Sequence, residues 1–171
     1  MTFTQVPGGV RRQRFEEWVK EYSNAVLRTC YIYLADRAMA EDALQETFLK
    51  VWRNIDRFEA RNGSSVRTWI IKIAINTCKD MRRSTWRRHI DQNHPIDELQ
   101  IVAGDVFEES KMLFLDVLRL PDKLKQVVIL YHYHDMTMEE AAYVLNISRS
   151  AVHHRLKKAY SLLKTNMEGS E

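Results

Sequence analysis

The sequence predicts an all-α protein: two small helical domains joined by a flexible acidic linker, the C-terminal one a helix-turn-helix. Three features point there. The 171 residues include only 5 Gly and 3 Pro, too few for the tight turns of a sheet fold. Apolar residues recur every three or four positions along most of the chain. The charge is also unevenly spread. Residues 10–90 carry 17 Lys and Arg against 10 Asp and Glu, residues 91–116 carry 1 against 7, and residues 117–171 carry 8 against 6. A basic part, an acidic stretch and a mildly basic part suggest two modules and a spacer. A basic module favours a polyanionic partner, of which nucleic acid is the commonest.

The first helix is read from Phe15, Trp18, Val19, Tyr22, Val26, Cys30 and Tyr33, which fall on one face. A second stripe runs through Leu44, Thr47, Phe48, Val51, Trp52, Ile55 and Phe58, and a third through Val66, Trp69, Ile70, Ile73, Ala74, Thr77 and Met81. Each helix alone would leave a broad apolar face in water, so the three are expected to share one aromatic-rich core. Asn62-Gly63-Ser64-Ser65 reads as the turn before the third helix, with a serine cap. From about His89 to Asp105 there is no helical stripe, and this stretch is read as extended and mobile. Helical pattern resumes near Phe107 with Met112, Leu115 and Leu118. Leu120-Pro121 breaks the chain and restarts it, and Leu124, Val127, Val128 and Tyr131 follow on one face.

The sharpest local signal lies near the C-terminus. Thr137-Met138-Glu139-Glu140 is a capping box. Ala141 and Ala142 are small enough for two helices to cross closely. Asn146 suits a left-handed turn, Ile147 would plug the core, and Ser148 would cap the next helix. That helix would carry Val152, Leu156, Ala159 and Leu163 inward. Its outward residues are Arg149, Ser150, His153, His154, Lys157 and Lys158, donors and cations with the reach for base edges and phosphates in a major groove. The plainer reading is a helical hairpin with a solvated basic face.

Three motifs carry a resemblance. They are Ala40-Glu41-Asp42-Ala43-Leu44-Gln45-Glu46-Thr47-Phe48, the run from Val66 through Trp69 to Asn76, and Leu120-Pro121 with the helix-turn-helix. Together they make the chain resemble, over about residues 11–165, a bacterial RNA polymerase sigma factor of the extracytoplasmic-function (ECF) group of the sigma-70 family. The resemblance implies a region 2 domain over 10–88, an acidic linker over 89–106 and a region 4 domain over 107–167. It implies core RNA polymerase as a partner, docked through Glu41, Asp42, Gln45, Glu46 and Phe48. It implies contact with promoter DNA through Arg67, Trp69, Lys72, Asn76, Asp80, Arg82 and Arg83 at the melted minus-ten element. At the duplex minus-thirty-five element it implies Arg149, Ser150, His153, His154, Arg155, Lys157 and Lys158. Arg87 and Arg88 would help hold the backbone, and the Asn62–Arg67 loop would shape the pocket for the melted strand. The linker would thread the polymerase toward the RNA exit channel. An anti-sigma factor, possibly membrane-anchored, would hold such a protein silent in the cytoplasm. Ala151 stands where the family often has Thr, and His153-His154 where Arg, Lys or Ser is more frequent.

The remaining readings are narrower. A helix-turn-helix regulator with an N-terminal sensing or partner-binding module is the alternative function. It predicts an apolar cavity in the first module and a dimer on a palindromic operator. An enzyme is not expected, because no nucleophile, metal-ligand spacing or Gly-rich loop accompanies the acids. No cofactor, metal or small-molecule substrate is expected either: His132, His134, His153 and His154 with Cys30 or Cys78 have no zinc-site spacing. Two cysteines are too few for a disulfide framework. No apolar run approaches the roughly 20 residues of a membrane span, and Met1–Arg14 lacks the apolar core of a signal peptide.

Overall fold

A computed structural model describes residues 8–58, 65–87 and 111–168. The chain divides into two compact units, Met1–Gln92 and Asn93–Glu171. Among the described residues there are helices and no strand. The turn residues 62–64, Arg88, the expected linker 89–106 and Phe107 lie outside the described residues.

The first unit contains α1 (Gly8–Leu34), α2 (Arg37–Asn54) with a 3-10 turn at Ile55–Arg57, and α3 (Val66–Arg87). All three pack on one another. Val26, Cys30, Val51, Ile70 and Ala74 of the predicted stripes are fully buried in their shared core, which also takes in Ala40, Ala43, Ile71, Ile75 and Cys78 from outside the stripes. Three buried threonines do not disturb it. Thr29 and Thr47 donate to the carbonyls of Ala25 and Ala43 at 2.7 and 2.6 Å, and Thr77 donates to that of Ile73 at 2.9 Å. The two thiols meet in the same core. A hydrogen bond between Cys30 and Cys78, reinforced by burial, drives the Cys30 pKa far above that of a free thiol.

Two features were not legible in the stripes. α1 starts seven residues before Phe15, because Arg11 and Arg14 have work on the aromatic face. The Arg11 guanidinium lies 4.4 Å over the Trp52 ring, donates to the Trp52 carbonyl at 2.7 Å and pairs with Asp56 at 3.3 Å. Arg14 lies 4.6 Å over the Trp18 ring. The link between α1 and α2 is also only Ala35 and Asp36. Ala35 takes a left-handed backbone (φ 52°) and donates to the Tyr31 carbonyl at 2.7 Å, while Asp36 caps α2 by accepting from Met39 N–H at 2.8 Å.

The second unit contains α4 (Lys111–Arg119), α5 (Asp122–Val128) running into a π-helical turn (Ile129–Tyr133), α6 (Met138–Leu145) and α7 (Arg149–Glu168). Pro121 precedes α5, and Leu124, Val127 and Val128 face inward as predicted. The π turn has no counterpart in the apolar pattern. It ends before Asp135, again left-handed at φ 52°.

Candidate nucleic-acid and protein-docking surfaces

The helix-turn-helix forms as its residues dictate. Thr137 Oγ1 accepts from Glu140 N–H at 3.1 Å and Glu140 Oε2 accepts from Thr137 N–H at 2.9 Å, closing the capping box. Ala141 and Ala142 are buried where α6 meets α7. Asn146 is left-handed (φ 54°, ψ 48°), and Ser148 Oγ accepts from Ala151 N–H at 3.1 Å to start α7. Val152, Leu156, Ala159 and Leu163 are buried; Ile147 is half-buried at the turn.

That inward set decides what α7 shows to solvent. Arg149, Ser150, His153, His154, Lys157 and Lys158 are all exposed, and Arg155 is half-buried. Arg149, Ser150 and His153 line an open hollow of about 580 Å³ together with Met138 of α6. A smaller hollow, about 260 Å³, continues along α7 between Tyr131, Met138, His153, Leu156, Lys157 and Tyr160. Its lining residue Tyr160 also meets His132, with Oη and Nε2 2.7 Å apart. Burial, then Tyr131, raises the Tyr160 pKa. Sequence reasoning missed Met138 and Glu139. Glu139 Oε1 lies 2.5 Å from Arg149 Nε, a pairing across the turn that no spacing within one helix reveals.

In the first unit, α3 begins at a serine cap: Ser65 Oγ accepts from Thr68 N–H at 3.1 Å. Lys72, Asn76, Asp80 and Arg83 then descend one side at intervals of four, four and three. Asn76, Asp80 and Arg83 are exposed, while Lys72 is half-buried and burial lowers its pKa. The Asp80 carboxylate also sits 3.9 Å from Lys50 Nζ of α2, and that ammonium donates to Thr77 Oγ1 at 3.1 Å. Arg67, Trp69 and Arg82 are half-buried. Trp69 packs in an aromatic cluster, its ring centroid 6.0 Å from that of Trp18 and 5.1 Å from that of Phe58. Arg67 faces α1, close enough to Tyr22 to oppose the rise in that phenol's pKa caused by burial and then by Glu21. The side chain of Arg87 lies outside the described residues.

On α2, Glu41, Asp42 and Gln45 are exposed and Glu46 is half-buried; Glu41 also pairs with Arg37 at 3.1 Å. Phe48 needs a correction. It is buried, its ring edge-on to Phe15 with centroids 6.2 Å apart, so it braces α2 from beneath and offers no ring to a partner. The apolar side chain on the acidic face is Leu49 instead, 48% exposed and one helical turn beyond Gln45 and Glu46. An exposed leucine inside an otherwise amphipathic helix was the available signal.

Comparison with known proteins follows the same division. Residues 18–88 match sigma-70 region 2 and residues 118–165 match sigma-70 region 4. The ECF RNA polymerase sigma factor SigW of Bacillus subtilis (strain 168) is 28% identical over 167 residues, covering 90% of this chain and 88% of that protein. The RNA polymerase sigma factor YlaC of the same strain is 28% identical over 166 residues, covering 93% and 95%. Among solved structures, the fold is similar to that of RpoE in complex with the anti-sigma factor NepR from Bartonella quintana. That match has a TM-score of 0.71 and 18% identity, covering 91% of this chain and 98% of that one. CnrH in complex with the cytosolic domain of CnrY is similar with a TM-score of 0.69 and 20% identity, covering 94% and 91%.

Proposed function

The chain belongs to the sigma-70 family, in its ECF group, and from that premise we propose that it directs core RNA polymerase to specific promoters and helps open them. What carries the reading is the presence on one chain of region 2 followed by region 4. A regulator with a sensing module would need only the second.

The division of labour follows from the surfaces. The acids of α2, Glu41, Asp42, Gln45 and Glu46, dock on the polymerase with Leu49 as the apolar member. A mixed polar and apolar patch of this kind suits a helical partner surface. The α3 side that bears Lys72, Asn76, Asp80 and Arg83 takes the unpaired strand of the minus-ten element. Asn76 offers an amide donor and acceptor to a flipped base. Capture of extruded bases offsets their unstacking, a cost of a few kcal/mol, and so favours the open state. Arg82 and Arg83 hold phosphates and carry no sequence information. Arg67 and Trp69 act mainly from within the unit, orienting α3. The α7 face reads the minus-thirty-five duplex through Arg149, Ser150, His153, His154, Arg155, Lys157 and Lys158. The protein supplies binding energy and no catalysis; the polymerase does the chemistry. No helix among the described residues is long and apolar enough to cross a membrane, and the protein acts in the cytoplasm, where the polymerase is. An anti-sigma protein that covers the DNA-reading faces is the proposed regulator, by analogy with the solved complexes.

Run-off transcription with purified core polymerase tests this. The expected result is a discrete, promoter-specific start that requires the protein. Transcripts independent of the added chain would remove the reading.

A further inference from the structure

Arg149 is the first residue of α7, where the positive end of the helix dipole disfavours a cation. An exposed arginine there also keeps wide rotamer freedom, which DNA binding would have to remove. Glu139, the second residue of α6, answers both. Its carboxylate lies 2.5 Å from Arg149 Nε, and the two side chains remain 64% and 67% exposed. In a planar guanidinium, an ion pair at Nε leaves the opposite edge, with the two terminal nitrogens, available as a donor fork. That fork matches the paired acceptors O6 and N7 of guanine and no other base edge in the major groove; adenine offers a donor beside its N7. Arg149 also lines the 580 Å³ hollow at the start of α7 with Met138, Ser150 and His153, a concave surface able to admit a base edge.

The geometry points to Glu139 as a positioning residue for promoter choice: it holds Arg149 so that the upstream element must carry a guanine at one position. This rests on the assignment of α7 as the duplex reader. It carries a signature of its own. A carboxylate near DNA repels phosphate, so removing Glu139 strengthens binding to unrelated duplex while weakening the guanine preference. Damage to the fold would weaken both.

The test uses holoenzyme, the full chain with core polymerase. Upstream duplexes are first selected from a randomised pool and then competed with all four bases at each position. Wild type is expected to prefer guanine at one position by about 5- to 150-fold, the range of a good bidentate contact. Arg149→Ala is expected to abolish that preference at that position alone. Glu139→Ala is expected to remove most of it there and to tighten binding to unrelated duplex. Glu139→Gln, which keeps an acceptor, falls between. An intact guanine preference in Glu139→Ala, an equal loss at all sequences, or a base other than guanine at the Arg149-dependent position each overturns the inference. A wild-type holoenzyme that selects no upstream sequence fails differently, by removing the assignment of α7 itself.

Discussion

Thr137→Ala isolates one device in the second unit. The substitution deletes the acceptor that holds Glu140 N–H at 3.1 Å, while the partner bond from Thr137 N–H to Glu140 at 2.9 Å can persist. Replacing a threonine cap by alanine costs about 1 kcal/mol, and a unit of this size unfolds in urea with a slope of about 1 kcal/mol per molar. The midpoint of the second unit is therefore expected to fall by about 1 M. The assay exploits an accident of composition. Trp18, Trp52, Trp69 and Trp86 all belong to Met1–Gln92, so tryptophan fluorescence reports the first unit alone, whereas far-ultraviolet circular dichroism reports both. The helical signal is expected to lose an early component while the tryptophan transition stays put. Thr137→Ser, which keeps the acceptor, is expected to restore most of the loss. If the tryptophan midpoint fell by the same amount, the units would be folding as one and the reasoning would be wrong. An unmoved helical transition would show that the cap contributes nothing.

Ala35→Gly is expected to raise the tryptophan-detected midpoint by up to about 0.5 M, because a left-handed backbone costs an alanine about 1 kcal/mol that glycine avoids, partly offset by chain entropy; a lower midpoint would contradict this. Leu49→Ala is expected to weaken core polymerase binding by roughly 5- to 30-fold, from about 1–2 kcal/mol of apolar burial, as read by fluorescence anisotropy; unchanged affinity would take Leu49 off the docking face. Lys157→Ala is expected to make the salt dependence of upstream duplex binding shallower by about 0.9 log units per log unit of salt, the mark of one lost phosphate contact, whereas an unchanged slope would assign Lys157 elsewhere.

Most of the fold was readable because its signals are local. Cap, small pair, turn residue and second cap in 137–148 are each set by neighbours within four positions, and all four appear as expected. The buried stripes of α1, α2 and α3 follow from a fixed helical period. Part of what escaped depends on pairs far apart in sequence. Arg11 meets Trp52 across 41 positions, and His132 meets Tyr160 across 28. Phe48 fell on the wrong list for a related reason. A motif names residues along the chain, but a helix turns through 100° per residue, so consecutive members of one motif divide between core and surface.

The same geometry links the proposed docking surface and the proposed strand-reading surface within one small unit. α2 carries the acids and α3 carries Asn76, and the half-buried Lys50 of α2 joins the two helices. Its ammonium holds Thr77 Oγ1 at 3.1 Å and lies 3.9 Å from the Asp80 carboxylate. Thr77 is the residue after Asn76 and Asp80 lies one turn further along α3, so these contacts tie the two helices together next to the residue proposed to take a flipped base. Asn76→Ala is then expected to impair strand opening, read by permanganate reactivity of unpaired thymines, more than it impairs binding of duplex promoter. Lys50→Met is expected to produce a milder form of the same imbalance without touching DNA, because it loosens α3 against α2 and leaves α7 unchanged. Equal loss of opening and duplex binding in Asn76→Ala would contradict the single-strand role of α3. A Lys50→Met protein that opened promoters as well as wild type would show that the Lys50 contacts do not hold Asn76 in place.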